Sequence, residues 1–226
     1  MATFVLIHGA GDSGWYWHLV QAELEARGHQ SIAPDLPCDN ATASLDDYVA
    51  AVADAAAGQR DLVLVAQSYG AFTATLAASR LGARLLVLLA GMIPAPGETP
   101  AQWWERTGYQ QAAAEQARLD GGQTGNDDPL ISYYNGVPRA LAEEALRRGG
   151  RGESSVVWDT PWPLDTWPDV PTKFILGQDD RFFPAAFLRR VAQERLGIVP
   201  DEVPGCHCAA LSHPRELSDL LVSYLH

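Results

Sequence analysis

Short apolar runs alternate with longer segments of helical periodicity along this chain of 226 residues. The runs at Leu62–Ala66 and Leu85–Ala90 are apolar at nearly every position, which is typical of strands covered on both faces of a parallel sheet. Strands are predicted at Thr3–Ile7, Ser31–Ala33, Leu62–Ala66, Leu85–Ala90, Thr172–Leu176 and Asp201–Val203, and helices at 14–27, 45–58, 70–82, 185–196 and 214–225. This alternation predicts an α/β fold with a mostly parallel sheet of about six strands and helices on both faces.

One long segment, residues 94–171, interrupts the alternation and contains no predicted strand. It begins and ends with proline-rich stretches, and helices are predicted inside it at 101–119 and 138–148, with Pro138 at a first helical position. Five of the seven tryptophans fall in it: Trp103, Trp104, Trp158, Trp162 and Trp167. We expect a helical cap inserted into a core formed by residues 1–93 and 172–226.

The net negative charge of the chain argues against two classes of binding partner, nucleic acids and membranes. Sixteen basic residues against twenty-eight acidic ones give a net charge of −12, which repels phosphate backbones and anionic lipid. We therefore expect neither nucleic-acid binding nor membrane binding. The N-terminal apolar run is too short for a signal peptide, and three cysteines are an odd number for a disulfide framework, so a cytoplasmic protein is expected. The sequence leaves open whether the chain is a monomer or a homodimer.

A candidate nucleophile follows the third predicted strand. Ligands of open α/β sheets bind outside the carboxyl ends of the strands, so residues that directly follow a strand are the informative ones. Ala66-Gln-Ser68-Tyr-Gly70 lies between a strand and a helix, which is the setting of a nucleophile elbow. The turn requires small residues two positions before and two positions after the serine, and Ala66 and Gly70 meet that requirement. The alternative is that Ser68 only caps the following helix.

A catalytic base and acid are predicted at two other strand ends. Of the six histidines, His207 follows the last predicted strand, whereas His8 ends the first strand, where a structural role is more usual. The others lie in or beside helices or at the terminus: His18, His29, His213 and His226. A carboxylate must orient the imidazole of such a base, and the segment after Thr172–Leu176 offers two, Asp179 and Asp180. The chain order Ser–Asp–His is then that of the α/β-hydrolases.

The glycine-rich exit of the first strand, His8 to Gly14, is the predicted oxyanion hole. The backbone of this loop can turn over the serine, so that the Ala10 N–H points at a developing oxyanion. The second predicted donor is the N–H of Tyr69, the residue after Ser68. Asp12 or Ser13 could in addition cap the next helix. The Cys206-His-Cys208 triplet has no second ligand cluster, and no nucleotide-binding glycine motif is present, so neither a metal nor a cofactor is expected.

With a candidate nucleophile, base, acid and oxyanion loop identified, the whole chain resembles the α/β-hydrolase superfamily. Within it, the chain is similar to the branch of plant methylesterases, hydroxynitrile lyases and small bacterial esterases. The match is carried by Phe4-Val-Leu-Ile-His-Gly-Ala-Gly-x-x-Gly-Trp-x-Trp17, Gly28-His29, Ala33-Pro-Asp-Leu36, Gln67-Ser-Tyr-Gly70, Gly177-x-Asp-Asp180 and Gly205-Cys-His207. In that pattern the acid is the third residue after the glycine, which implies Asp180, with Asp179 as the fallback.

Two departures from the lyases of this branch favour hydrolysis. The lyases carry a threonine where this chain has Gly9, and a lysine after the catalytic histidine where it has Cys208. The only lysine, Lys173, lies on a predicted strand. A cation that would stabilise departing cyanide is therefore missing, and Gly9 is expected to leave open space above Ser68.

The predicted function is that of a serine hydrolase that cleaves a small, largely apolar ester through an acyl-enzyme. The tryptophan-rich insertion is expected to cover Ser68, and the candidate substrate contacts are Gly9, Trp103, Trp104, Tyr133 and Tyr134. Two alternatives keep the fold. One is a C–C hydrolase, lactonase or thioesterase that uses the same residues. The other is a ligand-binding member of the fold with little turnover.

Overall fold

A computed structural model describes residues 1–225, so His226, one of the six histidines and the end of the predicted core, lies outside the described residues. Six strands form one sheet in the order β2-β1-β3-β4-β5-β6, and every neighbouring pair is parallel. The strands are β1 (Thr3–Ile7), β2 (Gln30–Ile32), β3 (Leu62–Gln67), β4 (Leu85–Leu89), β5 (Thr172–Gly177) and β6 (Asp201–Val203). The predicted parallel sheet is confirmed, with strand ends that differ by at most one residue.

Both faces of the sheet are buried, which explains the continuous apolar runs. Side chains alternate between the faces of a strand. In β3, Leu64 and Ala66 belong to one core cluster, and Val63 and Val65 belong to the other. All four have no exposed surface. The same division continues through β1, β4 and β5, so helices must cover both faces.

The described residues form eleven α-helices, and among these residues 1–225 no helix has both the length and the apolar character needed to cross a bilayer. Outside the insertion they are α1 (His18–Ala26), α2 (Leu45–Ala55), α3 (Gly70–Leu81), α9 (Ala185–Leu196), α10 (Ala209–Ser212) and α11 (Pro214–Ser223), and a 3-10 turn (Gly14–Trp17) precedes α1. Ser44 and Asp47 form a capping box at the start of α2, a signal for a helix start. α10 has only four residues, too few to show helical periodicity in the sequence.

Residues 94–171 contain five helices and, within the described chain, no strand: α4 (Pro100–Arg106), α5 (Tyr109–Asp120), α6 (Pro129–Ser132), α7 (Arg139–Arg148) and α8 (Ser155–Asp159). The single helix predicted at 101–119 is wrong. It divides into α4 and α5 because Gly108 adopts φ +67° between them, a conformation that ends a helix. Pro138 precedes α7 with ψ 130°, so it is the N-cap rather than the first helical residue.

Two tryptophans of this insertion pack into the core beneath it. Trp103 and Trp162 are almost fully buried and belong to the same cluster as the β3 side chain Leu64. The indole N–H of Trp103 donates to Ile93 O at 3.0 Å, and that of Trp162 donates to Thr75 Oγ1 at 3.1 Å. The insertion therefore shares a hydrophobic core with one face of the sheet.

Candidate active site

Ser68 lies in the strained turn between β3 and α3. Its φ is +52°, a left-handed conformation that is uncommon for a residue with a side chain and typical of functional turns. Three backbone hydrogen bonds hold the turn. Ser68 N–H donates to Leu89 O at 3.0 Å, and Ser68 O accepts the N–H groups of Met92 at 2.9 Å and Ala71 at 3.2 Å. The N-cap of α3 is Tyr69, so Ser68 does not cap that helix.

Gly70 is required by the same turn. A Cβ atom at this position would lie 2.5 Å from the carbonyl oxygen of His8, which is main chain and cannot give way cheaply. At the other small position, Ala66 is fully buried inside the sheet. The two small residues thus let α3 start directly against the end of β1, and the loop that follows β1 comes to lie beside Ser68.

His207 and Asp180 are hydrogen-bonded to each other in a buried site. His207 Nδ1 lies 2.9 Å from Asp180 Oδ2, and the two residues are only 2% and 5% exposed. The other carboxylate oxygen of Asp180 accepts the backbone N–H groups of Phe182 and Phe183, each at 2.8 Å. A carboxylate at Nδ1 places the ring proton on that nitrogen, so Nε2 is the nitrogen free to accept a proton.

The acid loop and the histidine loop meet because Gly177 has no side chain. A Cβ at Gly177 would lie 2.5 Å from Gly205 O and 2.7 Å from Cys206 O. The N–H of Asp179 donates to Gly205 O at 2.9 Å, which ties the loops together. The Asp179 side chain is exposed, and the buried Asp180 is the residue that contacts His207.

The loop after β1 presents backbone donors to the same region. Ala10 and Tyr69 both line the cavity that contains Ser68. Within residues 1–225, neither of their N–H groups donates to a protein acceptor. The predicted capping by this loop does not form, since Ser13 makes no side-chain cap bond and Asp12 Oδ1 instead accepts the Ser13 N–H at 2.8 Å.

Two residues of the insertion hold this loop, and sequence reasoning did not predict either. Glu153 Oε2 accepts the N–H of Gly11 at 2.9 Å, and Tyr48 OH donates to the other carboxylate oxygen. Arg151 donates its own N–H to Gly11 O at 3.0 Å and its guanidinium to Asp12 O at 3.1 Å. Burial raises the pKa of Glu153. Gly11 and Glu153 are 142 positions apart, so no local signal joins them.

His8 has the structural role that its place suggests. Its Nδ1–H donates to Gly9 O at 2.8 Å, and its Nε2 accepts the Leu36 N–H at 3.0 Å. Burial lowers the pKa of His8 to about 4, so the ring is neutral at pH 7. Both nitrogens are used to fix the backbone of the loop.

Ser68 and His207 open into one cavity of about 380 Å³. The structure brings Trp104, Tyr133 and Tyr134 to its wall, whereas Trp103 lies outside it in the core. Seven aromatic side chains of the described residues line the cavity: Tyr16, Tyr69, Trp104, Tyr133, Tyr134, Trp158 and Phe182. Sequence reasoning had not assigned Tyr16, Trp158 or Phe182 to it.

The expectation of open space at Gly9 is not met. A Cβ there would lie 2.2 Å from Gln67 Oε1 and 3.3 Å from Ser68 Cβ. The buried Gln67 side chain, itself part of the cavity wall, occupies that space. Gly9 is outside the set of residues that line the cavity, so its role is to admit Gln67.

The fold and this arrangement define a hydrolase of the α/β class. A model of the alpha/beta hydrolase family matches residues 4–220, and the chain belongs to that family. Among curated proteins it is similar to "Probable esterase PIR7A" of Oryza sativa subsp. indica. The alignment spans 253 positions with 28% identity and covers 97% of this chain and 95% of that protein.

Solved structures show the same architecture. Polyneuridine aldehyde esterase aligns with a TM-score of 0.79 at 20% identity and covers 100% of both chains. A methylesterase from Arabidopsis aligns with a TM-score of 0.74 at 18% identity and covers 100% of this chain and 99% of its own. Both alignments show that the chain shares its fold with these proteins.

Proposed function

We propose that the protein is a carboxylesterase in which Ser68 is the nucleophile, His207 the general base and acid, and Asp180 the residue that orients His207. The observation that carries the proposal is the 2.9 Å bond between His207 Nδ1 and Asp180 Oδ2, made beside the cavity in which Ser68 occupies a strained turn. The esterase names of the relatives support the same reaction class.

In the first half of the proposed reaction, Ser68 Oγ attacks the ester carbonyl while His207 Nε2 takes its proton. The carbonyl oxygen becomes an oxyanion, which the N–H groups of Ala10 and Tyr69 stabilise. Such donors contribute roughly 3–4 kcal/mol each in other enzymes. The 12-residue helix α3 begins immediately after Tyr69 and adds the positive end of its dipole.

The intermediate then collapses and the ester C–O bond breaks. His207 gives its proton to the leaving alcohol, and the acyl group stays on Ser68. Water, deprotonated by His207, attacks the acyl carbonyl next, and the second intermediate releases the carboxylic acid and restores the Ser68 hydroxyl. Asp180 stabilises the imidazolium in both halves without taking its proton.

The cavity supports a small, largely apolar substrate. Its volume of about 380 Å³ falls at the lower end of the range usual for small-molecule sites. Trp104 of α4 and Tyr133, which follows α6, bring the insertion to the cavity wall. We propose that residues 94–171 act as a cap that shapes the substrate pocket.

A labelling experiment tests the nucleophile. A fluorophosphonate probe should form one adduct, located by mass spectrometry on Ser68, and Ser68→Ala should abolish both labelling and hydrolysis of p-nitrophenyl esters. Loss of a triad serine costs on the order of 10⁶ in kcat in other enzymes. Ser79→Ala, an exposed change on the same helix α3, is the matched control and should keep both. An adduct on another serine would overturn the assignment.

A substrate panel tests the reaction class. Methyl and p-nitrophenyl esters of graded acyl length should be hydrolysed, with the rate falling once the acyl group exceeds the cavity. Labelling of Ser68 with turnover only of thioesters, lactones or β-diketones would replace carboxylesterase by one of those hydrolases. Labelling without turnover of any of them would indicate a ligand-binding member of the fold.

A further inference from the structure

One carboxylate lies in the wall of the Ser68 cavity. Among the described residues that line it, Asp12 is the only acidic side chain, and neither lysine nor arginine is present. The remaining wall consists of aromatic, small or uncharged side chains together with His207. Asp12 therefore contributes the one full negative charge that a bound substrate would meet.

The charge of Asp12 has no ion-pair partner within residues 1–225. Its Oδ1 accepts only the Ser13 N–H, at 2.8 Å. The neighbouring Arg151 bonds to the backbone oxygen of Asp12, while its ion pairs go to Asp39 at 2.8 Å and Asp35 at 4.0 Å. A positive group brought into the cavity would find this carboxylate unpaired.

The Asp12 charge acts on the interior wall of the cavity. Burial raises the pKa of Tyr16, Tyr134 and Cys208, and the negative charge of Asp12 raises each further. All three residues line the cavity. The carboxylate thus lies close enough to the same wall to influence what binds there.

The aromatic wall adds a second attraction for a cation. Two ring pairs lie stacked at the cavity, Tyr133 with Phe182 at a centroid distance of 4.3 Å and Tyr69 with Trp158 at 4.9 Å. Aromatic faces attract ammonium groups, and quaternary ammonium ligands are commonly held by such rings. A neutral apolar substrate would use the rings alone and would place no positive group beside Asp12, on which the opposing charge of Arg151 acts from outside the cavity wall.

We propose that the Ser68 cavity selects esters that carry an alkylammonium group, which is held by the Asp12 carboxylate and the aromatic wall. The proposal rests on the proposed function, because it names the substrate class of that same site. It also implies that esters carrying a free carboxylate group bind poorly, since no cationic side chain of the described wall would compensate that charge.

An isosteric pair of substrates measures this selectivity. Butyrylcholine and 3,3-dimethylbutyl butyrate have almost the same shape and differ in one positive charge. We expect kcat/KM to be about tenfold or more higher for the choline ester, as a cation held by rings and a carboxylate requires. Asp12→Asn should reduce this ratio to less than about threefold, whereas Asp54→Asn, an exposed change of equal charge on α2, should keep it.

The pH dependence of the ratio provides an independent measurement. Burial raises the pKa of Asp12 to about 6 and the charge of Asp35 adds to this, whereas the Ser13 N–H and the Arg151 guanidinium oppose it. The carboxylate is therefore charged above that pH and neutral below it. The choline preference should be complete at pH 8 and decline as the pH falls through about 6. Because both substrates use the same catalytic residues, other effects of pH on the reaction cancel in the ratio.

Binding measured without turnover separates failure of this proposal from failure of the esterase assignment. Trp104 and Trp158 line the cavity, so their fluorescence should change on titration with benzyltrimethylammonium and much less with its neutral isostere neopentylbenzene. This measurement uses the unaltered protein and needs neither a folded Asp12 variant nor ester hydrolysis. Equal affinity for the two probes, or a substrate ratio near one that Asp12→Asn does not change, would overturn the proposal.

Discussion

The carboxylate of Glu153 accepts a hydrogen bond from the backbone N–H of Gly11 at 2.9 Å. It thereby connects the helical insertion to the loop that carries the proposed oxyanion donor Ala10. The connection runs both ways, since Arg151 N–H donates to Gly11 O at 3.0 Å. Tyr48 of α2 holds the other oxygen of Glu153. The position of the Ala10 N–H thus depends on residues remote in sequence.

Removing this carboxylate should impair catalysis more than binding. We expect Glu153→Ala to lower kcat about tenfold while KM changes less than about twofold, because loss of a hydrogen bond to a charged group costs roughly 1.5–3 kcal/mol and the proposed oxyanion donor Ala10 would act on the transition state. Tyr48→Phe should cause a smaller decrease. Steady-state kinetics with p-nitrophenyl acetate, together with thermal unfolding of each variant, provide the measurement.

Glu143→Ala, a change at a half-exposed residue of α7 that removes a surface ion pair with Arg139, is the control for Glu153. It should behave like the unaltered enzyme. A higher KM at constant kcat in Glu153→Ala would mean that the carboxylate serves substrate binding. Unchanged kinetics with lower stability would assign it a purely structural role.

The two adjacent carboxylates should differ greatly in their effect on the rate. Asp180→Asn should lower kcat by roughly 10⁴, because an amide no longer fixes the His207 tautomer. Asp179→Asn should cost no more than a few-fold, since the Asp179 side chain is exposed and Asp180 makes the bond to His207. Single-turnover rates of the two variants decide the matter. The reverse ranking would move the acid by one residue.

The sheet could be predicted because strands buried on both faces leave a continuous apolar signature, as in Leu62–Ala66. The break between α4 and α5 could not, since Gly108 lies in an otherwise helical pattern and only its φ of +67° shows that it ends a helix. Residues that directly follow strands, such as Ser68 and Asp180, carry a positional signal. Glu153 has no such signal in the sequence, because it reaches Gly11 only through the tertiary fold.

His8 should make the protein less stable in acid. Its pKa is about 4 in the folded protein against 6.5 as its usual value, so the folded state binds fewer protons between these pH values and stability falls as the pH falls through that range. The contribution lost between pH 7 and pH 5 is about 2 kcal/mol. Urea unfolding at both pH values provides the measurement.

His8→Asn isolates this effect, because an amide keeps a donor for Gly9 O but does not titrate. The variant should be less stable than the unaltered protein at pH 7, and the difference should shrink by about 2 kcal/mol at pH 5. A difference that stays constant between the two pH values would show that His8 is not buried in its neutral form.

The unaltered protein should hydrolyse esters and should not cleave cyanohydrins. Departing cyanide needs a cation, yet no lysine or arginine is among the described residues that line the cavity. The Lys173 ammonium lies over the ring of Tyr224, at 5.1 Å from its centroid, and Cys208 is neutral because burial raises the pKa of its thiol well above the usual value. We expect turnover of short aryl esters and no cyanide release from mandelonitrile above the buffer rate.

A substitution at Gly9 should affect ester hydrolysis through its close neighbour Gln67. Gly9→Thr should lower the esterase rate at least about tenfold, because the new Cβ would start 2.2 Å from Gln67 Oε1 and push that side chain toward Ser68. Adding Gln67→Gly should restore part of the rate by returning the space. Cyanide release by the unaltered enzyme without ester turnover would overturn the assignment. A Gly9→Thr enzyme with full activity would show that Gln67 moves aside without affecting Ser68.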